Sequence, residues 1–274
     1  PLHDAAALRA VRALQAVRPN VSQVAVSDSA FHHTLSRAAS TYAIPRALTA
    51  KGLRRVGYHG LSHQYAAHRA AALARIDVHA SRIVTLHLGG GSSLCAVQDA
   101  RSIDTTMGFT PLDGVPMATR SGSVDPGLIL HLLRAGMTVD ELDDMLEHRS
   151  GLAGISGRTG DMRELLAADD DDARLAVAVL GWRLRAALGA MIGVLGGVDL
   201  VAFTGGIGEN VPVVRAAALQ GAAAWGAIVD DDRNGGLTGE GALGARDARV
   251  PAYVVAAREN WLLARSAFLF ESEV

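Results

Sequence analysis

Arg82-Ile83-Val84-Thr85-Leu86-His87-Leu88-Gly89-Gly90-Gly91-Ser92-Ser93-Leu94-Cys95-Ala96-Val97 is the stretch that decides the fold. Aliphatic and β-branched residues fill 82–88, three glycines interrupt them, and an apolar run resumes at 94–97, which predicts a strand, a glycine turn and a second strand. Residues 103–105 extend the meander as a third strand. At the bend, residues without side chains let the backbone approach an anion and turn its N–H groups toward it. A tight glycine hairpin reads the same way, and His87 at the strand end is equally open.

Working outward, 200–203 (Leu-Val-Ala-Phe) predicts a buried strand that ends in a second cluster, Thr204-Gly205-Gly206-Ile207-Gly208-Glu209-Asn210, with a helix next, through Val214 and Leu219. A helix N-terminus after a strand attracts a nucleotide's charge through its free N–H groups. The cluster has no P-loop lysine and lacks the spacing of a dinucleotide fingerprint. Between the two clusters the period changes to a helical one. Leu128, Ile129, Leu132 and Leu133 follow Pro126, and Thr138 with Glu141 forms a capping-box pattern. Residues 161–167 and 173–195 predict further helices, the second apolar on most faces and so expected to cross the interior. Asp169 to Asp172 reads as a solvated loop rather than a metal site, because four adjacent carboxylates without interleaved partners bind metal poorly. Near the front, valine-rich 21–26 predicts a short strand with Asp28 just past its end. Residues 249–256 predict a last strand, and a terminal helix starts at about Glu259. Hairpins, strand-turn-helix units and long helices together make an α/β protein.

The 274 residues are 49% hydrophobic, enough for a substantial core. A formal net charge of -2 and no block of basic residues argue against nucleic acid or an anionic membrane as partner, leaving a small metabolite. One cysteine, Cys95, excludes an internal disulfide framework and points to a reducing compartment, the cytoplasm. No signal peptide is legible, and the least polar run, 186–198, is too short to span a bilayer. Pro1-Leu2-His3 reads like mid-protein sequence, so a preceding segment is expected.

Two glycine bends after two sheet segments, without a P-loop lysine, resemble the actin-like ATPase superfamily. Six motifs sharpen this: Asp28-Ser29-Ala30-Phe31-His32; Tyr58-His59-Gly60-Leu61-Ser62-His63; His87-Leu88-Gly89 with Ser92-Ser93; Met107-Gly108-Phe109-Thr110-Pro111; Thr119-Arg120-Ser121-Gly122 with Asp125-Pro126; and Gly206-Ile207-Gly208-Glu209-Asn210. In order and near spacing they resemble acetate kinase. The resemblance implies an actin-like (ribonuclease-H-like) fold: a remnant of the first domain over 1–28, a nearly complete second domain over 29–258 that binds nucleotide and dimerises, and a C-terminal helix, 259–274, that returns to the first. It also implies ATP/ADP with Mg2+ (or Mn2+), acetate as acceptor, and a homodimer.

Residue by residue, Arg120 and His59 match the positions that stabilise the moving phosphoryl group, where cations and hydrogen-bond donors matter more than acid-base chemistry because acetate is already an anion. Asp28 matches an acid-base or metal-organising aspartate. Glu259 matches the magnesium-binding glutamate, although Ala257-Arg258-Glu259-Asn260 departs from the usual Thr-Asn-Glu-Glu and a helix-capping acid accounts for it nearly as well. The nucleotide contacts carried over are His87, Leu88, Gly89, Gly90, Gly91, Asp161, Met162, Arg163, Gly206, Ile207, Gly208, Glu209 and Asn210. Gly90 replaces an asparagine, and Met162 an aromatic residue. Leu2, accompanied by His3, falls with Tyr58 and Pro111 where the family has its apolar carboxylate pocket. The family's N-terminal asparagine, lysine and carboxylate-binding arginine have no counterpart, so these residues alone are expected to have little kinase activity. Propionate or butyrate kinase and a catalytically silent dimerising or nucleotide-binding module are the alternatives.

Overall fold

The computed structural model describes residues 4–273, which divide into two compact units, Asp28–Arg258 and a smaller one made of the chain up to Ser27 and from Glu259 onward. The smaller unit contains helices α1 (Asp4–Val17) and α9 (Glu259–Glu273). Residues 21–26 are not a strand: they are irregular and largely exposed. Valine content supplies β propensity, but a strand needs a ladder, and among the described residues nothing pairs with this stretch.

The larger unit is built on a six-stranded sheet in the order β3-β2-β1-β4-β6-β5. β1 (Arg82–Leu88), β2 (Ser92–Gln98) and β3 (Arg101–Thr105) form the antiparallel meander around the first glycine bend, with Leu88 opposite Ser92. β4 (Leu200–Thr204) lies parallel to β1, with His87 beside Thr204, so both glycine clusters leave the same end of the sheet. β6 (Ala252–Val254) continues in parallel beside β4, and β5 (Gly241–Ala242) closes the edge. β6 is shorter than 249–256 because Pro251, which has no N–H to donate, falls at its start.

Alternation along the strands sends side chains to two layers. Ile83, Cys95, Val97, Leu200 and Ala202 meet Ala67, Ala70 and Ala71 of α2 (Gly60–Ala74), all fully buried. Val84, Leu86, Leu94, Ala96, Val201 and Phe203 face the other way, into the core containing α6 (Asp171–Leu195). Residues 186–195 of the apolar run are therefore the end of a 25-residue helix, which by length and composition is long and apolar enough to cross a membrane. Here Leu180, Leu184, Leu188 and Ile192 of that helix lie in the core, while Leu175, Trp182 and Val194 are exposed. The acidic run is not a free loop either. Asp170 accepts the Ala173 N–H at 2.7 Å, and Asp171 and Asp172 occupy the first turn of α6, where the helix dipole favours carboxylates.

α3 (Pro126–Arg134) and α4 (Val139–His148) follow the meander, and the capping box at Thr138 is formed in full. α5 (Met162–Ala167) opens at Asp161. The second glycine cluster is a helix rather than a turn: α7 (Gly205–Asn210) starts directly at the end of β4, and α8 (Pro212–Leu219) follows. The bend is confined to Gly205, whose φ of +80° suits glycine and whose Cβ would lie 2.7 Å from the Leu88 carbonyl oxygen.

Candidate active site

α2 begins at a strained point. His59 precedes its first turn at φ 56°, ψ 28°, the left-handed region that costs a side-chain-bearing residue energy. Asp28 holds it there: its carboxylate accepts the His59 N–H at 2.6 Å, and its carbonyl accepts the Gly60 N–H at 2.8 Å. These contacts satisfy the first free donors of α2 and place a negative charge at its positive end.

The first glycine bend lies over the His59 ring. A Cβ on Gly91 would sit 3.1 Å from His59 Nε2 and 3.5 Å from Arg120 Nη1, so the absence of a side chain there leaves room between an imidazole nitrogen and a guanidinium. Arg120 is fixed from behind, its Nε 3.2 Å from Glu147 Oε2 and its Nη1 3.5 Å from the Pro111 carbonyl. Tyr58 donates its hydroxyl to the Phe109 carbonyl at 2.9 Å. Through residues 109–111, Tyr58 and Pro111 are thus tied to the same corner as His59 and Arg120. Leu2 and His3 lie outside the described residues.

Behind His59 is a histidine network. Its Nδ1 is 2.8 Å from Ser93 Oγ, which is also 2.7 Å from His63 Nε2; His87 stacks on His59 at 4.3 Å between centroids and reaches Ser62 Oγ at 2.7 Å. His32 bridges Ser102 Oγ and the Tyr58 carbonyl. Burial, with Arg120 adding repulsion, pushes His59 down to about 4. Burial pushes His87 down to about 3 and holds His63 and His32 below the usual histidine value. At neutral pH these imidazoles are uncharged, so His59 can act as a hydrogen-bond donor or acceptor but not as a cation.

Gly89, Gly90, Ala118, Thr119, Asp161, Met162, Arg163, Gly206, Ile207 and Asn210 line a single cleft of about 920 Å³, large enough for a nucleotide. The Ala118 N–H donates to the Gly90 carbonyl at 3.3 Å, joining the Arg120 segment to the glycine bend. Met162 is buried and belongs to the core as well as to the cleft wall. Asp161 caps α5 and pairs with Arg163, whose guanidinium holds its carboxyl down at about 2. Gly208 and Glu209 do not line the cleft. Their carbonyls accept from Arg215 Nη1 at 3.0 and 2.9 Å, and the Glu209 carboxylate accepts the Ala257 N–H at 3.0 Å. Leu88 is a core residue beside the bend.

Among the described residues, no three His, Cys, Asp or Glu side chains gather closely enough to hold a metal by themselves. Mg2+ does not require such a group, because it keeps several waters and takes one or two carboxylates together with phosphate oxygens. Asp28 offers a hard oxygen donor at the site, whereas Glu259 begins α9 in the smaller unit.

Sequence reading missed Ser93 and His63 as partners of His59, Glu147 as the partner of Arg120, and Arg215 as the buried anchor of α7. Ser93 and His63 stood inside quoted motifs and carried a signal. Glu147 and Arg215 carried none: Glu147 is 27 residues from Arg120, and Arg215, besides the nearby Gly208 and Glu209 carbonyls, depends on Asn234, 19 residues on.

A sheet whose glycine bends leave one end and enclose a nucleotide-sized cleft has the actin-like ATPase fold. The family model described as the acetokinase family matches residues 1–265. An acetate kinase of Gloeobacter violaceus is 45% identical over 273 residues, covering 98% of this chain and 67% of the relative. Among solved structures, Porphyromonas gingivalis acetate kinase superposes with a TM-score of 0.92 at 34% identity, over 96% of this chain and 67% of that one. A propionate kinase from Francisella tularensis superposes with a TM-score of 0.90 at 36% identity, over 97% and 69%. The chain belongs to the acetokinase family. It spans about two thirds of the length of the relatives it matches.

Proposed function

We propose that this chain carries the nucleotide-binding and phosphoryl-stabilising part of an acetate kinase, which moves the γ-phosphoryl group of ATP reversibly to acetate to give acetyl phosphate and ADP. The observation that carries the reading is the approach of His59 Nε2 and Arg120 Nη1 to the same point beside Gly91. An acetate oxygen bonds to the γ-phosphorus as the bond to the β-phosphate oxygen breaks, and the negative charge passes to ADP. Arg120 neutralises the equatorial oxygens, and neutral His59 donates a hydrogen bond from Nε2. Asp28 holds His59 in place. Mg2+ (or Mn2+), when bound, would supply charge neutralisation on the phosphates, with Asp28 as a carboxylate that could hold it. Gly90 and Gly206 admit the phosphates, and Ile207, Asn210 and Met162 flank the base. Tyr58 and Pro111 line the apolar side that takes a short acyl chain.

In this reading residues 29–258 are the second actin-like domain, and the flanking residues belong to the first. The exposed Leu175, Trp182 and Val194 on α6 support a homodimer through this domain, and the family assignment supports a cytoplasmic setting. Propionate as acceptor is the second reading, favoured by the likeness to the Francisella tularensis propionate kinase. A hydroxamate assay with acetate, propionate and butyrate ranks the acceptors. The 274 residues by themselves should bind nucleotide yet turn over slowly, and normal turnover by this polypeptide contradicts that part of the proposal. Failure to bind ATP at all contradicts the whole of it.

A further inference from the structure

His59 Nδ1 does not face solvent: it is 2.8 Å from Ser93 Oγ. The same hydroxyl is 2.7 Å from His63 Nε2, and His63 Nδ1 is 2.8 Å from Thr85 Oγ1. Ser93, His63 and Thr85 are all fully buried, on β2, α2 and β1 respectively, so no water competes for these bonds. Each hydroxyl carries one proton and each neutral imidazole one, and every link needs one donor and one acceptor. The line can therefore be protonated in only two consistent directions.

Running away from the site, His59 Nδ1–H donates to Ser93, Ser93 to His63 Nε2, and His63 Nδ1–H to Thr85. The Thr85 proton is then left with the Cys95 carbonyl at 3.5 Å, too long for a good bond and costly for a buried donor. Running toward the site, the Thr85 hydroxyl donates to His63 Nδ1, His63 Nε2–H to Ser93 Oγ, and the Ser93 hydroxyl to His59 Nδ1. The Thr85, His63 and Ser93 protons are then each in a bond of 2.7 or 2.8 Å with no fully buried hydroxyl proton left over, and the hydrogen of His59 is on Nε2, facing the gap at Gly91.

We infer that Thr85, His63 and Ser93 form a one-way hydrogen-bond line that fixes His59 as its Nε2–H tautomer, which makes Ser93 and His63 positioning residues for the donor on the transferred phosphoryl group. The inference rests on the reading of His59 as that donor. It also explains why a buried histidine, rather than an apolar residue, stands behind the site: the ring passes a proton direction from β1 to His59.

The test is nitrogen NMR of the 274-residue chain labelled in its histidines, at neutral pH, without ligand and with the magnesium complex of β,γ-imido-ATP. Nε2–H on both His59 and His63 is the expected result, and Nδ1–H on either ring of the unliganded chain overturns the inference. In Ser93→Ala, the Nε2–H to Nδ1–H ratio of His59 should fall by about fivefold, the worth of one net hydrogen bond, with a similar loss in the preference for imido-ATP over ADP. An unchanged ratio in a folded Ser93→Ala chain also overturns it. If His59→Ala leaves the preference for imido-ATP intact, the reading of His59 as donor fails, a failure separate from that of the tautomer assignment.

Discussion

Glu147 holds Arg120 by its Nε, 3.2 Å from Oε2, while Nη1 of the same guanidinium faces the space beside Gly91. A planar guanidinium fixed along one edge presents its other edge in a set direction, which suits the equatorial oxygens of a phosphoryl group in flight. Glu147→Gln removes the charge that fixes this edge. The ratio of affinities for imido-ATP and ADP, measured by titration calorimetry, is expected to drop about tenfold, with ADP binding itself nearly unchanged.

Gly91 and Gly90 should respond oppositely to substitution. Gly91→Ala puts a methyl group 3.1 Å from His59 Nε2, where the terminal phosphate would sit, and should abolish the preference for the triphosphate while leaving thermal stability within about 1 kcal/mol. A Cβ on Gly90 meets nothing within 4 Å, and Gly90 is not in the left-handed region. Gly90→Asn should therefore be tolerated and tighten ATP binding by about fivefold, the worth of one added hydrogen bond. Equal losses in both variants would show that the bend does not discriminate between them.

The buried histidines give stability a pH dependence of fixed sign. His59 at about 4 and His87 at about 3, with His63 and His32 also lowered, bind protons less readily in the folded chain than at the unfolded value of 6.5. Between pH 6.5 and the folded values the unfolded state takes up more protons, so stability is full above 6.5 and falls as the solution is acidified below it. Urea midpoints measured from pH 7.5 to 5 should decline over this window, before most carboxylates titrate. His87→Asn should flatten the slope, and a level profile in the parent chain would contradict the assignment of these rings as neutral.

Arg215 is 1% exposed and has no carboxylate partner among the ion pairs of the described residues; its guanidinium is spent on the carbonyls of Gly208, Glu209 and Asn234 and on the Asn234 side chain. It thereby ties the C-terminal carbonyls of α7 to α8. Arg215→Met should cost about 3 kcal/mol in urea unfolding, because buried acceptors lose a charged donor. It should also raise amide exchange in 205–210 above that of β4.

Much of this was readable in advance because the signals were local. The strand-bend-strand at 82–97 and the capping box at Thr138 each depend on neighbours within a few residues. The expected strand at 21–26 failed for the opposite reason: valines make a strand only where another strand offers a ladder. Likewise, Asp170 to Asp172 look like a solvated loop until a helix begins on them. The site divides the same way. His59 and Arg120 were legible through their motifs, whereas the supports that orient them, Glu147 for Arg120 and the Thr85 end of the histidine line, come from distant elements that only the fold brings together.

The most direct test of the account is a crystal structure of the chain with the magnesium complex of β,γ-imido-ATP. The account predicts the γ-phosphate between Arg120 Nη1 and His59 Nε2, against the Gly91 backbone, with the base beside Ile207 and Met162. A nucleotide bound elsewhere, or one whose terminal phosphate touches neither Arg120 nor His59, would contradict it.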